Sequence, residues 1–290
     1  MAQEPETGRF REYHVMLHRT EGIVLRTIPF GDADLIVFFL TPDLGILKTF
    51  AKSPLKTKSR FGSSLEPLTH SKIAFWGKEN AALPRLTQSD IIHSFQSIRD
   101  TLNCFLKVLE IMELTLRFIP EREANKRVYS LLLHTLHNIE NNASASPLGK
   151  DNPSSPSGKD NHPSRPFGKG GMGGLDLGIL YYKIHFLRLA GYAPRLDTCG
   201  RCAKNGHWFY ASQGSILCEA CAKSADVPVR ITQGALKLYA DLFTWNVQKI
   251  QRIKPSDALL SELSDIMDMH VKYILMQPLK SATFIQSLPR

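Results

Sequence analysis

Residues 20 to 95 alternate short apolar runs with turn residues, the pattern of strands that each present one face to a core. The pattern predicts strands at Thr20 to Ile28, Asp34 to Thr41, Gly45 to Lys52, Pro67 to Trp76 and Leu83 to Phe95. Gly31-Asp32, Pro42-Asp43, Gly62 and Gly77 punctuate them. So many strands in so short a stretch fit a small closed Greek-key barrel. The OB-fold is the commonest nucleic-acid-binding example, and an SH3-like barrel is the alternative.

After Ser97 the period lengthens. Ile98, Leu102, Phe105, Leu109, Met112, Leu116 and Ile119 recur every three or four residues until Pro120, which predicts one long amphipathic helix. Val128, Leu131, Leu132, Leu136 and Ile139 predict a second helix. Leu180, Ile184, Leu187 and Leu189 predict a third, stopping at Gly191. Two more are expected at Ala235 to Phe243 and Leu259 to Leu275. Between the second and third lies a tract rich in Ser, Pro, Gly, Lys and Asn, from Ala143 to Gly174. Ser146-Pro147-Leu148-Gly149-Lys150-Asp151-Asn152 recurs there as Ser155-Pro156-Ser157-Gly158-Lys159-Asp160-Asn161. Such a composition buries too little to offset ordering and is expected to be disordered. Gly168, Gly170 and Gly173 spell a dinucleotide-site pattern, but no strand precedes it and no helix pattern opens on it.

Four cysteines change the picture of the second half. Cys199, Cys202, Cys218 and Cys221 form two C-x-x-C pairs with a hairpin-length segment between them, the spacing of a structural zinc knuckle. Disulfides or unlinked core cysteines are the other readings. The chain opens without a leader-like segment, so a reducing compartment is expected, which weighs against disulfides. Cys104 stands alone in a helical pattern and is expected to be buried. His207 lies between the pairs, but His207-Trp208-Phe209 reads as a hairpin strand. Four protein ligands leave no coordination position for water, so such a metal would staple the fold and would not catalyse.

The net charge of +9 divides as +2 over residues 1–142, +2 over 143–174 and +5 over 175–290. A basic excess suits a polyanion, nucleic acid first, although a solvated lysine-rich surface has the same composition. No apolar run approaches the roughly 18 to 20 residues that span a bilayer, so a soluble cytoplasmic protein without membrane contact is expected. Neither a phosphate-binding G-x-x-x-x-G-K-[ST] nor an H-E-x-x-H or H-x-E motif is present. Asp32 and Asp34, close together in a turn, read as backbone caps. No catalytic residue is assigned, and the chain is not expected to be an enzyme. Residues 44–65 hold Lys48, Lys52, Lys56, Lys58 and Arg60 and no acidic side chain. A loop of this kind, with Phe61 at its tip, would contact phosphates while the ring stacks on a base. The plainer alternative is a solvated loop protecting a sheet edge.

Several segments add a resemblance. Thr20-Glu21-Gly22-Ile23-Val24-Leu25, Gly31-Asp32-Ala33-Asp34, Lys58-Ser59-Arg60-Phe61-Gly62 and Leu65-Glu66-Pro67 resemble the amino-terminal domain of the bacterial RecO recombination mediators. Phe186-Leu187-Arg188, Gly191-Tyr192-Ala193-Pro194, Gly214-Ser215-Ile216-Leu217-Cys218 and Pro278-Leu279-Lys280-Ser281 resemble that family's helical, zinc-binding and terminal regions. The resemblance implies an α+β multidomain protein: an OB-fold barrel over 19–96, then a helical domain over 97–142 and 175–290 with the zinc knuckle at 199–221. Residues 143–174 would be an insertion and 1–18 an extension, with Met16 expected as the initiator. It further implies binding of single- and double-stranded DNA through Lys52, Lys56, Lys58 and Arg60, with zinc on the four cysteines. Annealing of complementary strands and work with RecR to help load RecA on DNA coated by single-strand-binding protein are also implied. Association with the nucleoid is expected to follow. Where the family commonly reads Lys-Gly-x-Arg, this chain has Lys52-Ser53-Pro54-Leu55, losing one charge and the glycine. A nucleic-acid enzyme with an unrecognised site and a zinc-ribbon protein adaptor are the competing readings.

Overall fold

The computed structural model describes residues 16–56, 59–77, 81–144, 172–222, 227–250 and 252–281. The chain divides into two compact units, one of residues 1–94 with 121–124 and one of 95–120 with 125–290.

In the first unit the strands are β1 (Met16–Phe30), β2 (Asp34–Thr41), β3 (Gly45–Ala51), β4 (His70–Gly77) and β5 (Arg85–His93). They close into a barrel in the order β1-β2-β3-β5-β4. Closure depends on the length of β1, which pairs with β4 from Met16 to Ile23 and with β2 from Ile23 to Phe30. Its register shifts between Val24 and Arg26, a bulge that bends a strand and increases its twist. The last seam, β3 with β5, is parallel and short, at Phe50↔Arg85 and Ala51↔Leu86. Inward positions fill the barrel with Val24, Val37, Phe39, Leu47, Ile73, Phe75 and Leu86. The burial drives closure at roughly 25 cal/mol per Å² of apolar surface removed from water.

Glu121–Ala124, distant in sequence, belongs to this unit. Arg122 N–H donates to the Ile46 carbonyl (3.1 Å), and Glu121 bridges to Gly45 and Ile46. Only glycine fits at position 45: its φ is +58°, and a Cβ there would lie 2.1 Å from the Glu123 carbonyl oxygen.

The second unit is helical. The run expected as one helix is broken into α1 (Gln96–Arg99) and α2 (Leu102–Phe118), because Thr101 is extended at φ −111° and ψ 101°. Asp100 and Thr101 are residues that favour helix ends over interiors, and Leu102, counted on the apolar face, is 57% exposed. Then come α3 (Lys126–Ser144) and α4 (Met172–Leu189). The expected insertion lies outside the described residues over 145–171, while Met172 to Gly174 already belong to α4. α4 is the central helix, buried on most of its circumference from Leu175 to Leu187 and packed against α2, α3 and later helices. A short sheet of β6 (Trp208–Tyr210), β7 (Ser215–Leu217) and β8 (Val229–Arg230) follows, in the order β7-β6-β8. The unit ends with α5 (Gln233–Thr244), α6 (Val247–Ile250) and α7 (Asp257–Leu275). Thr232 and Ser256 cap α5 and α7 by accepting from the N–H groups of Ala235 and Leu259. Among the described residues no helix is long and apolar enough to cross a membrane.

Two histidines lock the interior in their neutral form. His270 on α7 bonds through Nε2 to the Tyr192 carbonyl (2.8 Å), and its buried Nδ1 has no partner. His185 on α4 bonds through Nε2 to the Leu242 carbonyl (2.8 Å). Burial holds both below the ordinary imidazole range, against the upward pull of those carbonyls. At these two sites the folded chain binds fewer protons than the unfolded one, and the stability they contribute is lost as pH falls below about 6.5. We expect the urea midpoint to drop between pH 7.5 and 5.5, and a His270→Gln variant to drop less. A wild-type midpoint flat across that window would contradict this.

Candidate metal centre and nucleic-acid interface

The two C-x-x-C turns meet beside the β6–β7 hairpin. Gly200 N–H donates to the Ile216 carbonyl (2.9 Å), tying the first turn to β7, and a Cβ at Gly206 would strike the Leu217 carbonyl at 2.7 Å. The first turn closes with Ala203 N–H on the Cys199 carbonyl (2.9 Å), the second with Cys221 N–H on the Cys218 carbonyl (3.0 Å). The result brings the sulfurs of Cys199, Cys202, Cys218 and Cys221 within 4.8 Å of one another, with Cys202 and Cys218 3.5 Å apart. Four sulfurs about 2.3 Å from one ion stand roughly 3.8 Å from each other in a tetrahedron, so the cluster fits a metal of zinc's size.

Its electrostatics point the same way. Burial pushes the Cys199 thiol up, but the N–H groups of Cys218, Arg201 and Cys202 outweigh it and hold the group at about 6. The Cys221 N–H lowers Cys218. Cys221 is driven up to about 12, first by Cys202 and then by Cys218. Thiolates this close oppose each other's ionisation until a cation neutralises them. His207 stands outside the cluster, with Nδ1 3.1 Å from Gln233 Nε2. Cys104, expected to be buried, is half-buried.

On the barrel, the basic residues fall into different settings. Lys48 is on the outer face of β3, opposite Phe38, with its ammonium 5.7 Å from that ring's centre. Lys52 and Lys56 are exposed in the loop after β3, and Lys58 lies outside the described residues. The loop is held over the β1–β2 turn by Ser53 N–H on Asp34 Oδ1 (2.6 Å) and Leu55 N–H on the Ala33 carbonyl (3.3 Å). Asp34 thus caps backbone, as its sequence context predicts. Ser53 takes φ +57° at the position where the resembled pattern has glycine, so the loop keeps the glycine conformation without the glycine.

Phe61 is a correction. Expected at the loop tip to stack on a base, it is only 3% exposed and packs in the barrel core, with the exposed Arg60 guanidinium 4.9 Å from its ring centre. The turn Gly62–Leu65 that follows folds it inward. The accessible aromatics are elsewhere. Arg26, Phe38 and Lys48 form one cross-strand row on the outer face of β1–β3, and Ile28, Ile36 and Phe50 form the next. Phe30, 52% exposed, meets Phe50 edge-on at 5.9 Å. This row was not singled out from the sequence. Its signal is Arg26 interrupting an apolar strand, and its facing depends on the bulge.

Residues 16–95 match the profile for the Recombination protein O N terminal domain, and 105–149 with 172–283 match that for the Recombination protein O C terminal domain. A DNA repair protein RecO of Thermodesulfovibrio yellowstonii is 38% identical over 266 residues, 90% of this chain and 94% of that protein. The chain belongs to the RecO family. A RecO of Dehalococcoides mccartyi is 28% identical over 94% of this chain and 96% of its own length, and one of Syntrophus aciditrophicus 26% over 94% and 96%. The RecO match resumes at Met172, so residues 150–171 interrupt the family pattern.

Proposed function

We propose that this chain is a DNA-binding recombination mediator in DNA repair. In this reading it binds single- and double-stranded DNA through its barrel and anneals complementary strands without chemical turnover. It works with RecR in helping RecA onto DNA coated by single-strand-binding protein, in the nucleoid-bearing cytoplasm. Family membership supports the repair role. The observation that carries the DNA-binding part is the outer row of Arg26, Phe38 and Lys48, where cations flank a ring that bases can reach. The ring order β1-β2-β3-β5-β4 with a parallel β3–β5 seam supports the OB-fold, which presents its β2–β3 face to oligonucleotides. Lys52, Lys56 and Arg60 extend the cationic surface along the loop, Lys58 is assigned to the same contacts from the sequence alone, and zinc on the four cysteines serves as a structural staple.

The decisive experiment is annealing of complementary oligonucleotides coated with single-strand-binding protein, without ATP. Faster annealing is expected with the chain than without it. No acceleration by folded protein would favour the zinc-ribbon adaptor. With about four or five cationic side chains on phosphates, log Kd for a single strand should vary with log salt with a slope of magnitude roughly 3. Replacing Arg26, Lys48 and Lys56 together by Ala should lower that magnitude by about 2. An unchanged slope would remove this face from the site.

A further inference from the structure

The outer row next to Arg26–Phe38–Lys48 does not end at β3. Phe50 is the register partner of Arg85 across the parallel seam, Arg85 of Trp76, and Trp76 of Leu17. Ladder partners point to one face of a sheet, so Ile36, Phe50, Arg85, Trp76 and Leu17 lie side by side around the outside of the barrel. The row is left in solvent: Trp76 is 45% exposed, Leu17 36%, and Arg85 is exposed. A half-exposed indole and a partly exposed phenyl ring, separated by one guanidinium, are a costly arrangement for a strand surface with nothing to bind.

We propose that this row is a second stacking track for single-stranded DNA, in which bases stack on Trp76 and Phe50 and Arg85 holds the phosphate between them. The proposal rests on the reading that the barrel binds single strands. Charge complementarity selects the occupant. The row contains no carboxylate, and it is flanked by Arg26 and Lys48 on one side and Arg19 on the other, each two residues along its strand. The nearby Asp34 carboxylate is engaged by the Ser53 N–H. Phe50 and Trp76 stand two strand spacings apart, about 10 Å, with Arg85 midway. Stacking tolerates every base, so the track is sequence-neutral, as a protein that handles arbitrary strands requires. Together with the Arg26–Phe38–Lys48 row it gives the barrel a binding surface that wraps past the seam onto β4.

The test uses the full chain and oligodeoxythymidine. Of the three tryptophans, Trp208 and Trp245 are replaced by Phe, leaving Trp76 as the only indole. Its emission should be quenched as the oligonucleotide is added. Trp76→Ala and Arg85→Ala should each weaken binding by about 10-fold. Arg85→Ala should also lower the magnitude of the salt slope by about 0.7, while Trp76→Ala leaves it unchanged. Trp76→Phe should recover much of the loss, and both side chains are exposed, so thermal melts should match wild type. If Arg26→Ala weakens binding while Trp76→Ala does not and the emission stays constant, the track is wrong and the barrel reading stands. A wild-type chain that fails to bind oligodeoxythymidine overturns both.

Discussion

Replacing Cys199 and Cys218 together by Ala is expected to yield protein without bound metal and with the β6–β7 hairpin released from its neighbours. Each substitution removes one thiolate from a different C-x-x-C turn, leaving two ligands that cannot hold a closed tetrahedral site. A structural zinc contributes an apparent binding free energy of order 10 kcal/mol, much of which becomes folding energy because no preformed site exists in the unfolded chain. Among the described residues, the apolar cluster around the sulfurs is small. The buried cluster here is Cys199 itself with Tyr210 and Leu217, and the strands of the small sheet are two or three residues long. Metal analysis of the wild type should return about one equivalent of zinc. Chelator should shift its melting to that of the double variant. Equal melting and protease resistance in wild type, chelated protein and variant would refute the staple.

The second large effect is expected at Lys183. This lysine on α4 is 3% exposed, with its ammonium 2.6 Å from Glu110 on α2 and 2.5 Å from Asp268 on α7. Burial alone would strip its proton. Asp268 and then Glu110 overcome that and raise it above the ordinary lysine range. Glu110 is pushed up by burial despite Lys183 beside it. Lys183→Ala leaves Glu110 buried without a partner and should cost about 3–5 kcal/mol. Lys183→Met with Glu110→Gln removes both charges and should recover most of that loss, because a buried pair gains little over groups of similar volume. Urea unfolding of the three proteins decides it. A single variant as stable as wild type would mean that the ammonium contributes nothing to holding α2, α4 and α7 in register.

What could be read in advance follows how local each signal is. Two C-x-x-C turns and a hairpin-length spacer carry their own geometry, so the sulfur cluster was legible. The strands were legible because each is bounded by turn residues. Phe61 was misread because a ring after a basic run looks like a loop tip, and nothing in the sequence says that the next four residues coil into a turn that buries it. β2 reads Leu35-Ile36-Val37-Phe38-Phe39-Leu40, apolar on both faces, so which ring faces solvent depends on register through a bulge in another strand. α4 extends back to Met172 through Gly173 and Gly174, residues that signal a loop. Further along the same helix, Gly178 lies so close to Ile139 that a Cβ there would stand 3.3 Å from its Cγ1.

The four residues Glu121–Ala124 give the chain an interleaved inheritance. The backbone passes between the two units three times, at 94–95, 120–121 and 124–125, so no single cut yields a barrel with its full backbone pairing. A fragment ending at Ser94 would leave the Ile46 carbonyl without the Arg122 N–H and uncover the glycine at position 45. A gene fusion with one breakpoint cannot exchange either half intact. Within the first unit, a substitution at Gly45 is screened against the Glu123 backbone, however far apart the two lie in sequence.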